Sequence, residues 1–364
     1  MNSFTITGQT QTSFIEWLLD GIRHTFIDYQ YIYHTNSEDD INLVFHVVDR
    51  ENPKPYRRKS QGTFVVSIVE ADDTPEDIHR EAYPYLVRSL ANHLMYIVKT
   101  EKVITFYFLT PEQGRYSISF NKQEDDDSDL FKQIFNRLKP LASSKLVINN
   151  DFYEDLPEPL WQGDDVTESL RESGKKLDRL NLLPAPFPLE EVLTPRDIRH
   201  LKKLYGIGGL SYGNLSARKD DSHFWMSASG IDKSNMQHVG KDFLYISGYD
   251  IEKNAMKVSI PPKVTPKRAS VDAIEHWMIY KEHPGVGAIV HIHAWMDGID
   301  ATEFNYPCGT VDLANSVAQL VKEAEDPTRA VIGLKNHGLT ITGRNLEDIF
   351  ERIDGKIIPQ VPMQ

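Results

Sequence analysis

The chain is short of cysteine, of excess positive charge and of long apolar runs, and each shortage excludes something. A single cysteine in 364 residues, Cys308, cannot close an internal disulfide, so a reducing compartment is expected. Forty Lys and Arg stand against 53 Asp and Glu, a formal charge of −13, which argues against a nucleic-acid or anionic-membrane surface. No stretch approaches 18 uninterrupted apolar residues, and Met1–Thr10 has neither a basic start nor an apolar core of the kind a leader needs. A cytoplasmic protein that binds neither nucleic acid nor membrane is the expectation.

What is present is enough chain for two domains. Apolar residues at helical spacing predict a helix over Thr12–Ile27. Tyr29–His34 and Ile41–Val48 read as paired strands across the polar turn Asn36–Asp40, and Phe64–Val69 as a third strand. Tyr83, Leu86, Leu90, Leu94 and Ile97 form a stripe that predicts a helical region over Pro75–Val98, kinked or split at Pro84. A hairpin of Val103–Leu109 with Arg115–Phe120, turning at Pro111–Gly114, and a helix over Asp129–Leu138 complete an α+β domain at 1–148. Its histidines have no metal spacing. Acids and prolines then mark a linker at 149–163. The second domain, 164–364, begins with a helix capped by Asp165 and Glu168. After Pro184-Ala-Pro186 a second helix starts at Thr194-Pro195 and leads into the glycine-rich Gly206–Arg218.

The chemistry gathers further on. Gly287–Ala294 is a β-branched apolar run after a Pro284-Gly285 turn, so it reads as a buried strand with His291 and His293 on one face. Ala330–Leu334 reads as another strand, with Asn336-His337-Gly338 turning at its end. Three imidazoles, His291, His293 and His337, would leave one position open on a bound ion, the pattern of a catalytic rather than a structural zinc site. The glycine-flanked Gly213-Asn214 could let backbone N–H groups approach an anion; a plain turn into a strand is the equal alternative.

The order Gly213–Arg218, then Ala-Ser-Val-Asp over Ala269–Asp272, then His276, Tyr280, Pro284, His291 and His293, then Asn336–Gly338, resembles the class II aldolase/adducin family. The resemblance covers the second half of the chain. It implies a three-layer α/β fold with a central, mainly antiparallel sheet and helices on both sides, a divalent metal such as zinc, and a homo-oligomer, usually a tetramer. It implies lyase or epimerase chemistry through an enediolate on a small hydroxy-carbonyl or sugar-phosphate-like substrate. By the same resemblance Gly213, Asn214, Ser229, Gly230 and Ser270 contact the substrate or its phosphate, and Asp272 shuttles the proton. Glu275, one turn on, is the alternative acid.

The sequence departs from the pattern in three places. Val271 stands where the family carries a second hydroxyl residue, and valine donates no hydrogen bond. The stretch 294–336 is short, with Asp297, Asp300 and Glu303 as candidate acids, and the tail after Asp354 holds no tyrosine. The competing expectation is a binding or assembly module that keeps the fold without catalysis, as adducin does.

Overall fold

The computed structural model describes residues 2–9, 12–35, 41–60, 62–111, 115–182, 188–204, 212–359 and 361. The chain divides into two compact units. The first takes in Met1–Ser143 and Phe187–Gly206, the second Ser144–Pro186 and Ile207–Val361.

In the first unit the elements run β1 (Ser3–Thr7), α1 (Ser13–Asp28), β2 (Ile32–Tyr33), β3 (Leu43–Val47), β4 (Phe64–Ala71), α2 (Ile78–Arg88), β5 (His93–Lys99), β6 (Val103–Leu109), β7 (Arg115–Asn121) and α3 (Asp127–Ser143). The sheet order is β2-β1-β3-β4-β5-β6-β7. The first five strands are parallel, and β6 and β7 form the expected antiparallel hairpin at one edge. The unit is therefore α/β in character and not the α+β arrangement expected. The 29–34 and 41–48 segments do not pair with each other, because β1 lies between them.

Helix α1 starts at Thr12, whose hydroxyl accepts from the Ile15 N–H, and it buries Ile15, Leu18, Leu19, Ile22 and Phe26. The helix expected to reach Val98 stops at Arg88, carrying Pro84 within it, and 93–99 is a strand. Its first six residues are buried on both faces, as parallel strands are, so its apolar run satisfied a helical stripe by accident. The Asn36–Asp40 turn and residues 112–114 lie outside the described residues.

The 149–163 segment, expected as a linker, opens with β8 (Asn149–Tyr153) and leads to α4 (Asp165–Arg179). Asp164, one residue before the expected cap, makes a reciprocal box with Thr167. Helix α5 (Pro195–Leu204), expected within the second domain, belongs to the first unit, where Arg88 of α2 forks onto Asp197 through Nε and Nη2, both at 3.1 Å. Pro184–Pro186 and Gly206–Ser211 lie outside the described residues.

The second unit continues β9 (Gly213–Arg218), β10 (Phe224–Ser227), β11 (Phe243–Asp250), β12 (Ala255–Ser259), α6 (Ala273–Glu282), β13 (Ala288–Ile292), α7 (Val311–Glu323), β14 (Val331–Leu334), β15 (Gly338–Gly343) and α8 (Leu346–Ile353). The eight strands order as β14-β15-β13-β9-β10-β11-β12-β8, antiparallel except where β8 joins β12. One apolar core on the sheet includes Ile274, Ile279, Leu313 and Val317 of α6 and α7. The other includes Leu170, Leu177, Leu346 and Ile349 of α4 and α8. Helix, sheet and helix thus form the three layers expected of this half.

Candidate metal centre and active site

Strand β13 lies between β9 and β15, and register decides which side chains meet. His291 is paired with Asn214 on one side and Thr340 on the other, so all three point to one face of the sheet. His293 follows two residues later on the same face, just past the strand end. His337 arrives from the turn between β14 and β15, in which Asn336 takes the left-handed conformation at φ 57° and the His337 N–H donates to the Leu334 carbonyl at 2.9 Å. Gly213 sits at φ 152°, and a Cβ there would lie 2.2 Å from the His291 carbonyl oxygen. A glycine is required for β9 to run this close to the histidine strand.

The three imidazoles converge. One ring nitrogen from each of His291, His293 and His337 lies within 4.8 Å of the others, and ring centroids are 4.9 to 5.3 Å apart. Nε2 of His291, Nδ1 of His293 and both ring nitrogens of His337 are buried without a hydrogen-bond partner. Orphaned buried nitrogens are costly, and an ion held between three of them would satisfy all three. Burial lowers the pKa of each ring, His337 to about 3 with the His291 ring adding to the effect. Neutral imidazole is the form that ligates. These residues therefore fit a divalent cation.

Asp272 stands at the start of α6 but does not cap it: its side chain makes no bond to the helix N–H groups. It turns into the site, where Oδ2 accepts from Asn214 Nδ2 at 2.7 Å and Ser270 Oγ at 3.0 Å, Oδ1 accepts from Cys308 Sγ at 2.7 Å, and Oδ2 is 3.9 Å from His291 Nε2. Burial alone would raise its pKa. The charge that the facing His291 and His337 rings carry when protonated, with the Cys308 thiol, outweighs burial and holds the carboxyl well below its usual range.

Glu275 is equally buried but differently placed. Thr340 donates to its Oε1, its Oε2 has no hydrogen-bond partner, and burial together with the Asp272 charge pushes its pKa up to about 8. His276 turns to Ser216, Oγ to Nδ1 2.7 Å, and Ser216 also meets the Tyr280 hydroxyl at 2.8 Å. Arg218, at the end of β9, closes the far end of α6 by donating to the carbonyls of Tyr280, His283 and Val286. A cation at a helix C-terminus is stabilising, and here it fixes α6 against the sheet.

The expected anion contacts separate into two groups. Asn214 and Ser270 are joined to Asp272, the Asn214 amide also reaching Ser270 Oγ at 3.2 Å. Ser229 and Gly230 form a half-buried turn beside the 268–269 backbone, with the Ser229 N–H on the Arg268 carbonyl and Gly230 at φ 64°. Val271 packs under the turn at Gly309, where a Cβ would come within 2.6 Å of the valine Cβ. The valine thus supports the loop that delivers Cys308. Among the described residues the clustered candidate ligands are the three histidines, without Asp297, Asp300 or Glu303.

Two residues of the site escaped sequence reasoning. Cys308 was read only for what it said about disulfides, and nothing local marks it as a partner of Asp272. Lys233 is 2 % exposed and its charge acts on Asp272, His291 and His293. Its position three residues beyond Gly230 was the available signal.

Residues 198–296 match the Class II Aldolase and Adducin N-terminal domain, so the C-terminal half of the chain carries that family's domain. The match spans His291 and His293; His337 lies beyond it. The methylthioribulose-1-phosphate dehydratase of Citrobacter koseri is 24% identical over 174 residues, covering 39% of this chain and 78% of the relative. The enzyme of that name from Pectobacterium atrosepticum is 34% identical over 82 residues, 22% of this chain and 34% of its own. Among solved structures, the L-fuculose-1-phosphate aldolase of Thermus thermophilus is matched at 17% identity over 51% of this chain and 86% of that one, with a TM-score of 0.32.

Proposed function

We propose that the second unit is a divalent-metal-dependent lyase that removes water from a phosphorylated ketose. The observation that carries this reading is the set of three neutral imidazoles with orphaned nitrogens, two buried and the His293 ring half-buried, beside a carboxylate held ionised. His291, His293 and His337 would hold the ion, and an all-nitrogen set of three with a position left open suits zinc. When bound, the metal supplies a Lewis acid that draws electrons from the carbonyl oxygen of the substrate.

The remaining work belongs to the chain. Asp272 is the base: the C–H bond beside the carbonyl breaks, its proton passes to the carboxylate, and the electron pair forms the carbon–carbon double bond. The hydroxyl on the next carbon leaves as water with the proton that Asp272 returns, and the enol product becomes a ketone as its hydroxyl proton moves to carbon. Asn214 and Ser270 fix the carboxylate that must accept the proton, since both donate to the same oxygen. The dehydratase relatives favour water loss over carbon–carbon cleavage. The reading includes a cytoplasmic homo-oligomer, whose mass light scattering would report.

Purified protein should carry about one equivalent of metal per chain and convert methylthioribulose-1-phosphate, read by product formation before and after treatment with a chelator. A metal-free protein that gains no turnover when zinc is added would overturn the lyase and leave a binding module on the same fold.

A further inference from the structure

The two oxygens of Asp272 are held differently. Oδ2 accepts from the Asn214 amide at 2.7 Å and from the Ser270 hydroxyl at 3.0 Å, and two donors fill the lone pairs of one carboxylate oxygen. Among the described residues Oδ1 accepts from a single side chain, the Cys308 thiol at 2.7 Å. A carboxylate can only accept, so the proton of this contact sits on the sulfur. Oδ1 therefore keeps a lone pair, and the group that touches it is a weak donor.

The turn that carries Cys308 is fixed from three sides. Gly309 takes φ 74°, and a Cβ there would lie 2.6 Å from the Val271 Cβ, so a glycine lets the turn settle on the residue next to Asp272. The Gly309 carbonyl accepts the Val147 N–H at 2.8 Å. Thr310 ties the turn to the helix that follows: its hydroxyl donates to the Pro307 carbonyl at 2.8 Å and accepts from the Leu313 N–H at 3.2 Å as the cap of α7. Cys308 itself is half-buried, and the carboxylate it meets is buried, with the orphaned Nε2 of His291 3.9 Å from Oδ2.

We propose that Cys308 is a positioning residue for the proton transfer: its thiol holds Oδ1 of Asp272 in place, and the remaining lone pair of that oxygen takes the proton from the substrate carbon. The inference rests on the lyase reading for the reaction it serves. Two donors on Oδ2 do not by themselves fix the plane of the carboxylate. A third on Oδ1 does. Because a thiol is a weak donor, it orients this oxygen without taking the basicity that the transfer needs, as a charged donor there would.

The test uses the full chain loaded with zinc, as wild type, C308A and C308S, with zinc content and far-UV circular dichroism showing that each variant is folded and metallated. In turnover of the phosphorylated ketose, C308A should lower kcat by about tenfold to a hundredfold, the scale of a displaced catalytic group, with KM little changed. C308S keeps a donor and should recover most of the loss. A second readout needs no turnover: the one cysteine of the chain gives a single S–H stretching band in the infrared, which a charged acceptor draws to lower wavenumber. In D272N that band should move to higher wavenumber. A loss confined to KM or zinc content, a serine no better than alanine, or a band that D272N leaves in place would each overturn the proposal. Turnover that C308A does not change removes the cysteine's role and leaves the lyase. A metallated wild type without turnover removes the lyase, and with it the step that Cys308 serves, even where the band reports the contact.

Discussion

The two faces of strands β9, β13 and β15 are built from the same alternating segments and do opposite things. On one face Leu215, Val290, Ile292, Leu339 and Ile341 join the apolar core with α4 and α8. On the other, Asn214, Ser216, His291, Thr340 and Thr342 are all buried and all polar, and α6 lays Asp272, Glu275 and His276 over them. Neighbouring residues on one strand therefore act in opposite directions: Val290 contributes to folding through area removed from water, whereas His291 costs desolvation until something binds it. The fold tolerates a polar site here because the reverse side of the same strands is a complete hydrophobic layer.

The sharpest way to break that contrast is His291→Ala. It should abolish stoichiometric metal, measured by elemental analysis, and lower turnover by about a thousandfold or more, while metal-free stability stays level or rises because an orphaned buried ring is gone. Retained metal in this variant would sink the three-histidine centre. Asp272→Asn comes next. Metal should remain, but kcat should fall by about 10² to 10⁴ with the loss of the proton acceptor, and a fall in KM or metal content alone would assign the residue a different role. On the reverse face, Leu215→Ala should cost about 2–5 kcal/mol in denaturant unfolding yet leave metal stoichiometry in the folded fraction unchanged. Loss of metal there in step with stability would mean the two faces are not separable.

The sequence showed the three histidines that meet more clearly than the frame that holds them. His291 and His293 were legible because a β-branched run sets a period of two, and His337 because a turn followed a second such run. The partners of Asp272 were not. Cys308 reaches it across 36 positions, and no local pattern records a contact of that separation. In the first unit the trouble was the period itself. Residues 93–99 are apolar on both faces, so the run fitted a helix as well as a strand, and the parallel order of β1 to β5 depends on pairings that no turn signal announces. Position 195–204 was read correctly as a helix, but the Arg88 to Asp197 pair that ties it to the first unit joins residues 109 apart.

The last prediction concerns Glu275, where wild type and variant differ least per pH unit, and it tests whether the polar face is costly in metal-free protein. The carboxyl has its pKa raised from 4.5 to about 8 by burial and by Asp272, with the Thr340 hydroxyl working against them. Below pH 4.5 both folded and unfolded chains carry the proton and the group has no net effect on stability's slope. Between 4.5 and about 8 the unfolded chain has released a proton that the folded chain keeps, so stability falls as pH rises, by up to about 1.4 kcal/mol per pH unit. Glu275→Gln, which keeps the shape and cannot titrate, should flatten this part of the curve in metal-free protein and be relatively more stable than wild type at pH 8 than at pH 5. Urea unfolding at several pH values measures both curves. If they run parallel, Glu275 is ionised in the folded chain, and Thr340 would then be donating to a carboxylate anion rather than to the protonated acid that burial favours.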